Sequence, residues 1–120
     1  EQEDFDTAIT HFREAVRINP QQQLLAANAL ALMLITHPDP TSRNAAEAVE
    51  LAKRVHQALQ AQGQPSPQVL FTLADAYAES GQRELAIQTI QAAMRLAQDT
   101  GQLQFSQQLE VRFRQYQQMP

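Results

Sequence analysis

Residues 73–93, LADAYAESGQRELAIQTIQAA, carry the reading of the whole chain. Apolar residues fall at helical spacing through Val69, Leu70, Leu73, Ala74 and Tyr77, stop at Gly81, and resume at Ala86, Ile87, Ile90, Ala93 and Ala97. Two short helices joined by a tight turn account for this pattern. Glycine lacks a Cβ and so enters the left-handed conformation that ends many helices, and Arg83-Glu84 opens the next helix. The unit is therefore a helical hairpin.

The same pattern recurs on both sides. Toward the N-terminus, Phe5, Ala8, Ile9, Phe12, Ala15 and Val16 form one stripe of a helix over residues 5–19, which Pro20 stops. Ala8, Phe12 and Ala15 repeat the small–large–small spacing of Ala86, Ile90 and Ala93. Between these two segments, LLAANALALMLIT (24–36) sets Leu30, Ala31 and Leu34 where the later unit has Leu73, Ala74 and Tyr77. Residues 45–59 set Ala48, Ala52 and Val55 where it has Ala86, Ile90 and Ala93. Asn44 with Glu47 makes a capping box at the start of that helix. HPDPTSRN (37–44) replaces the glycine turn, and a second turn, GQPSP (63–67), leads to the next helix.

At this point the chain resembles the tetratricopeptide repeat (TPR) family. FDTAITHFREAVRINP resembles the second helix of a repeat, through Phe5, Ala8, Phe12, Ala15 and Pro20. Leu73, Ala74, Tyr77, Gly81, Ala86, Ile90 and Ala93 resemble a nearly whole repeat. The resemblance implies an all-α fold, a right-handed α-solenoid of antiparallel helical hairpins, in which small residues let helices of a ~34-residue unit approach closely. A bulky side chain forced in at Ala86 is expected to cost about 1 to 3 kcal/mol by overpacking. The steps from Ala8 to Ala48 and from Ala48 to Ala86 are 40 and 38 residues, longer than that unit, and the longer turns absorb the excess.

Residues 103–118 carry Phe105, Leu109, Phe113 and Tyr116 at steps of four, four and three, after a break at Asp99-Thr100-Gly101, without a repeat consensus. The terminal unit of a solenoid needs one apolar and one polar face. Gln104, Gln107, Gln108, Arg112, Arg114 and Gln115 suit the polar one, so this sixth helix reads as a C-terminal capping helix. The expected organisation is a single TPR-like domain over 1–120. It comprises the second helix of a truncated repeat (1–20), a divergent repeat (21–62), a third repeat (67–98) and the capping helix (102–118).

Composition narrows the function. At 120 residues the chain buries roughly two thirds of its unfolded surface around one core. No apolar run approaches the ~20 residues of a membrane span, and no signal segment opens the chain. It begins at EQEDFD without methionine and reads as a piece of a longer protein, which leaves its compartment open. Nine Lys and Arg against thirteen Asp and Glu give a net charge of -4, with the cations scattered, which argues against nucleic acid. Cysteine is absent, so disulfides, thiolate metal sites and cysteine nucleophiles are excluded. The many glutamines, Gln21 to Gln23 among them, read as solvated helix surface.

No phosphate loop, HExxH pair, GxSxG elbow or calcium loop occurs. His37 and Asp39 flank Pro38 but make no metal site without converging ligands, and read as a polar turn. His11 with Glu14 reads as a surface pair, and His56 as an exposed helix residue. The expectation is no catalytic residue, no metal, no cofactor and no enzyme.

The resemblance further implies a concave face lined by the first helix of each hairpin, which binds a peptide or helix of a partner protein. Carried onto this sequence, its groove positions are Leu25, Asn28, Leu32, Ile35 and Thr36, then Gln68, Phe71, Asp75, Ala78 and Glu79. The first set is mostly apolar and the second holds two carboxylates, which suits an apolar anchor beside a basic or amide-bearing group. Burial accounts equally well for Leu25, Leu32 and Ile35, since their helix is apolar almost all round. Asn28 and Asp75 are the stronger candidates for exposed function. The clamp by which some relatives hold a C-terminal carboxylate is not expected, because Asp75 and Glu79 have the wrong sign. A second role, structural self-association, follows from Phe5, Ile9 and Phe12, which are expected to be partly uncovered and to favour a homodimer or packing on upstream repeats.

Overall fold

The computed structural model describes residues 2–18 and 23–120. Among them are six α-helices and no strand: α1 (Gln2–Ile18), α2 (Leu24–Thr36), α3 (Ala45–Ala61), α4 (Pro67–Glu79), α5 (Arg83–Asp99) and α6 (Leu103–Gln117). The expected stop at Pro20 and the glutamines at 21 and 22 lie outside the described residues.

Several helix ends have an identifiable cause. At α3 the Asn44 side chain accepts from the Glu47 N–H at 3.2 Å, while its own amide donates to the Glu47 carboxylate at 3.2 Å. The Asn44 backbone N–H reaches Leu34 O (2.9 Å), which ties the start of α3 to the end of α2. The box is therefore closed through side chains rather than through the cap's own N–H. At α4 the Ser66 hydroxyl accepts from Val69 N–H, and Pro67 occupies the first turn, where its missing donor costs nothing. Gly81 has φ +81°, left-handed as its position requires, and Gly63 and Gly101 do the same after α3 and α5.

The helices pair as hairpins, α2 with α3 and α4 with α5, with α1 on α2, α4 also on α3, and α6 on α5. Burial follows the repeated stripe. Ala48, Ala52 and Val55, like Ala86, Ile90 and Ala93, are fully or almost fully enclosed, and Leu30, Ala31 and Leu34 close the middle hairpin from the other side. This is an all-α helical-repeat solenoid with α2 and α4 side by side in one layer and α3 and α5 in the other.

At Ile9 the N-terminal helix departs from expectation. Ile9 is only 7% exposed, because it turns into the core with Val16, while Phe5 and Phe12 are half-buried. Phe5 is covered by the ring of His37, edge-on at 5.1 Å. The uncovered strip thus shrinks to one flank of Phe12 with Ala8 and Ala15, whose counterparts on α3 and α5 are buried.

Candidate functional site

Helix α2 contains no charged residue and is apolar around its whole circumference, so it cannot hide every side chain against two neighbours. Leu25 remains 89% and Leu32 40% exposed, seven residues and hence two turns apart on one side of the helix. Ile35 is 7% exposed and belongs to the core. Thr36 is exposed at the helix end, its hydroxyl donating to Leu32 O at 2.6 Å. Asn28 is half-buried, with a side-chain oxygen that finds no hydrogen-bond partner.

On α4 the candidates are already engaged. Gln68 donates to the Gln102 side chain at 2.7 Å. The half-buried Phe71 meets Phe105 edge-to-face at 5.9 Å and lies 5.2 Å beneath the Arg112 guanidinium. Asp75, expected to be free for a partner, is instead enclosed: Arg112 Nη1 donates to both of its carboxylate oxygens at 2.9 and 3.0 Å, and the Tyr116 hydroxyl donates to one of them. Glu79 accepts from Arg43 at 3.2 Å. Burial pushes the Asp75 carboxyl up from its ordinary range, against the pull of the Tyr116 and Arg112 hydrogen bonds. Burial likewise pushes the Tyr116 hydroxyl up, reinforced by its bond to Asp75. The sequence-level idea of two free carboxylates awaiting a basic group therefore fails: each already holds an arginine.

These contacts assign α6 a role that the capping argument missed. Phe71 meets Phe105 and Gln68 meets Gln102 just before α6, both pairs 34 residues apart, so α6 reaches α4 through side chains. Arg112 and Gln115, read from sequence as solvent-side residues, face the same layer as the candidates on α2 and α4. The interval from Phe71 to Phe105 was visible in the sequence and would have pointed to α6 as a third wall.

Two depressions flank this layer. One, of about 290 Å³, sits where α2, α4 and α6 end, between Ile35, Thr36, Ala78, Glu79, Arg112 and Met119, with Asp75, Gln115 and Tyr116 also in its lining. The other, of about 350 Å³, lies at the opposite end of α2 between Leu24, Leu25, Asn28, Leu59, Gln68 and Val69. The candidates thus divide: Ile35, Thr36, Asp75, Ala78 and Glu79 gather at one end, and Leu25, Asn28 and Gln68 at the other. Leu32 and Phe71 line neither.

The other polar candidates are structural. His37 is fully buried: its Nδ1 accepts from the Asp39 N–H (3.0 Å), so Nε2 carries the proton toward Asp6 (2.5 Å). Asp39 also accepts from Thr41 N–H at 3.0 Å. Glu14 pairs with Arg17 at 2.5 Å rather than with His11. His56 is half-buried, not exposed; its Nδ1 has no hydrogen-bond partner, and burial lowers its pKa. No group of three or more His, Cys, Asp or Glu that could hold a metal ion occurs among the described residues, and no helix there is long and apolar enough to cross a membrane.

Residues 1–22 and 67–100 match the model of the tetratricopeptide repeat, a unit that generally mediates protein–protein interaction and is generally non-catalytic. No curated protein and no solved structure matches the chain significantly. The matched stretches hold α1 and the whole α4–α5 hairpin, and the unmatched α2–α3 hairpin between them buries the same stripe in the same way. These matched stretches, just under half of the chain, support a tetratricopeptide repeat family.

Proposed function

We propose that the chain is a non-catalytic protein-interaction module whose α2–α4–α6 face, the concave one in this family's geometry, binds a peptide or helix of a partner protein. The observation that carries this is the exposure of Leu25 and Leu32 on a helix that has no polar side of its own. Large apolar side chains left in water, with Leu25 in the lining of one depression, mark a surface that gains by being covered. Gln68, Phe71, Asp75 and Glu79 support the binder indirectly, because they lock α4 to α6 and Arg43 and so hold the face in one shape. A preformed face loses little conformational entropy on binding. No cofactor, nucleic acid or membrane enters this reading. The test compares the proteins retained by the chain with those retained by Leu25→Arg/Leu32→Arg, at matched helicity and melting temperature. Loss of a defined partner is expected, and an unchanged set would remove the face from consideration.

A second reading, self-association as a homodimer or packing on upstream repeats, draws on α1, where Ala8, Phe12 and Ala15 remain half-buried although their counterparts on α3 and α5 are enclosed. Light scattering over a range of concentrations would show a dimer abolished by Phe12→Glu. A monomer at every concentration would refute the homodimer.

A further inference from the structure

The charges of the inner layer are closed among themselves. Helix α2 has none, and the five on α4 and α6 are Asp75, Glu79, Glu110, Arg112 and Arg114. Each is in an ion pair: Asp75 with Arg112 at 2.9 Å, Glu79 with Arg43 at 3.2 Å, and Glu110 with Arg114 at 2.9 Å. Three carboxylates thus meet three arginines, and the face with its Arg43 rim carries no net charge. Among the described residues, the charges without an ion pair include Glu50, Lys53 and Arg54 on α3 and Arg95 and Asp99 on α5, all in the outer layer.

We infer that the α2–α4–α6 face takes an uncharged peptide segment bearing an aliphatic side chain, and that this binding is insensitive to salt. The inference rests on the proposed binding role of that face and specifies its partner. A basic residue arriving at Asp75 or Glu79 finds the carboxylate already taken. Displacing Arg112 would leave that cation without its partner, and an acidic residue recruiting Arg112 would strand the half-buried Asp75. An aliphatic side chain meets no such opposition: it covers Leu25 and Leu32, or enters the depression between Ile35, Ala78 and Met119, and breaks no existing pair. Without net charge, the face also exerts no long-range pull for salt to screen.

The experiment selects peptides from a phage-displayed random dodecapeptide library on the immobilised chain. Affinities of the enriched peptides are then measured at low and at high sodium chloride, against the chain and against Leu25→Asp/Leu32→Asp. Both substituted positions are exposed, and circular dichroism verifies that the variant folds. The expected result is enrichment of uncharged, aliphatic peptides whose affinity changes less than about twofold with salt and falls more than about tenfold in the variant. Charged peptides that lose more than about tenfold with salt, yet still depend on Leu25 and Leu32, would overturn this inference and leave the proposed function standing. No enrichment, or peptides indifferent to both leucines, would overturn the proposed face and this inference with it.

Discussion

The two complete hairpins pair their helices alike and join them differently. Between α4 and α5 lie three residues, with Gly81 in the left-handed conformation and open space around it. Between α2 and α3 lie eight, folded around the buried ring of His37, with a single 3-10 turn at Pro40–Ser42. Arg43 donates to His37 O at 2.9 Å and also reaches Glu79, while Arg83 donates to Tyr116 O and Gln117 O at 3.0 and 2.8 Å. In both hairpins, then, an arginine at the turn ties the end of the next inner helix. The pairing is set by the Ala–large–Ala stripe, and the connection is free to change as long as it satisfies the backbone at the helix ends. The family model matches the glycine-turned hairpin and passes over the histidine-turned one, although both are packed the same way.

Three substitutions test how the two hairpins are held. The largest effect is expected from His37→Ala, which empties a fully buried site and removes the bonds to Asp6 and Asp39 together with the Phe5 contact. A loss of about 2 to 4 kcal/mol is expected by urea denaturation. If the loss were a few tenths only, the long turn would be a passive loop, no different in kind from the short one.

Arg112→Ala comes next, at about 1 to 3 kcal/mol, because the half-buried Asp75 keeps only Tyr116. Its pH dependence sharpens the point. Burial holds the folded-state pKa of Asp75 above its unfolded value, so the folded protein binds the extra proton. Stability from this group is therefore greatest at low pH and is lost as pH rises from the unfolded value through the folded one. Without Arg112, both of whose effects on Asp75 lower the pKa, that window should extend to higher pH. Denaturation curves from about pH 3 to pH 7, compared with Asp75→Asn, would show the decline in the first variant and its absence in the second.

The smallest effect is expected from Gly81→Ala. A Cβ there meets nothing within 4 Å, so the cost is only that of the left-handed backbone, about 1 kcal/mol. A loss as large as that of His37→Ala would mean that the short turn is also held by packing.

The helical stripes, the hairpin at Gly81, the Asn44 cap and the apolar α2 were legible in the sequence, because each depends on residues within one or two turns of one another. So was the recurrence of the stripe, which needs only counting. What tertiary structure alone decided are the meetings across the chain. His37 turned inward to Asp6, 31 residues away, and Arg112 and Tyr116 closed on Asp75 across 37 and 41 residues. Such pairs depend on the crossing angle and rotation of whole helices, and a step of one residue turns a helical side chain by about 100°. Sequence spacing therefore showed which residues share a face. The placement of α6 against α4 decided that Asp75 was already held within the fold, and that of the α2–α3 connection decided the same for Glu79.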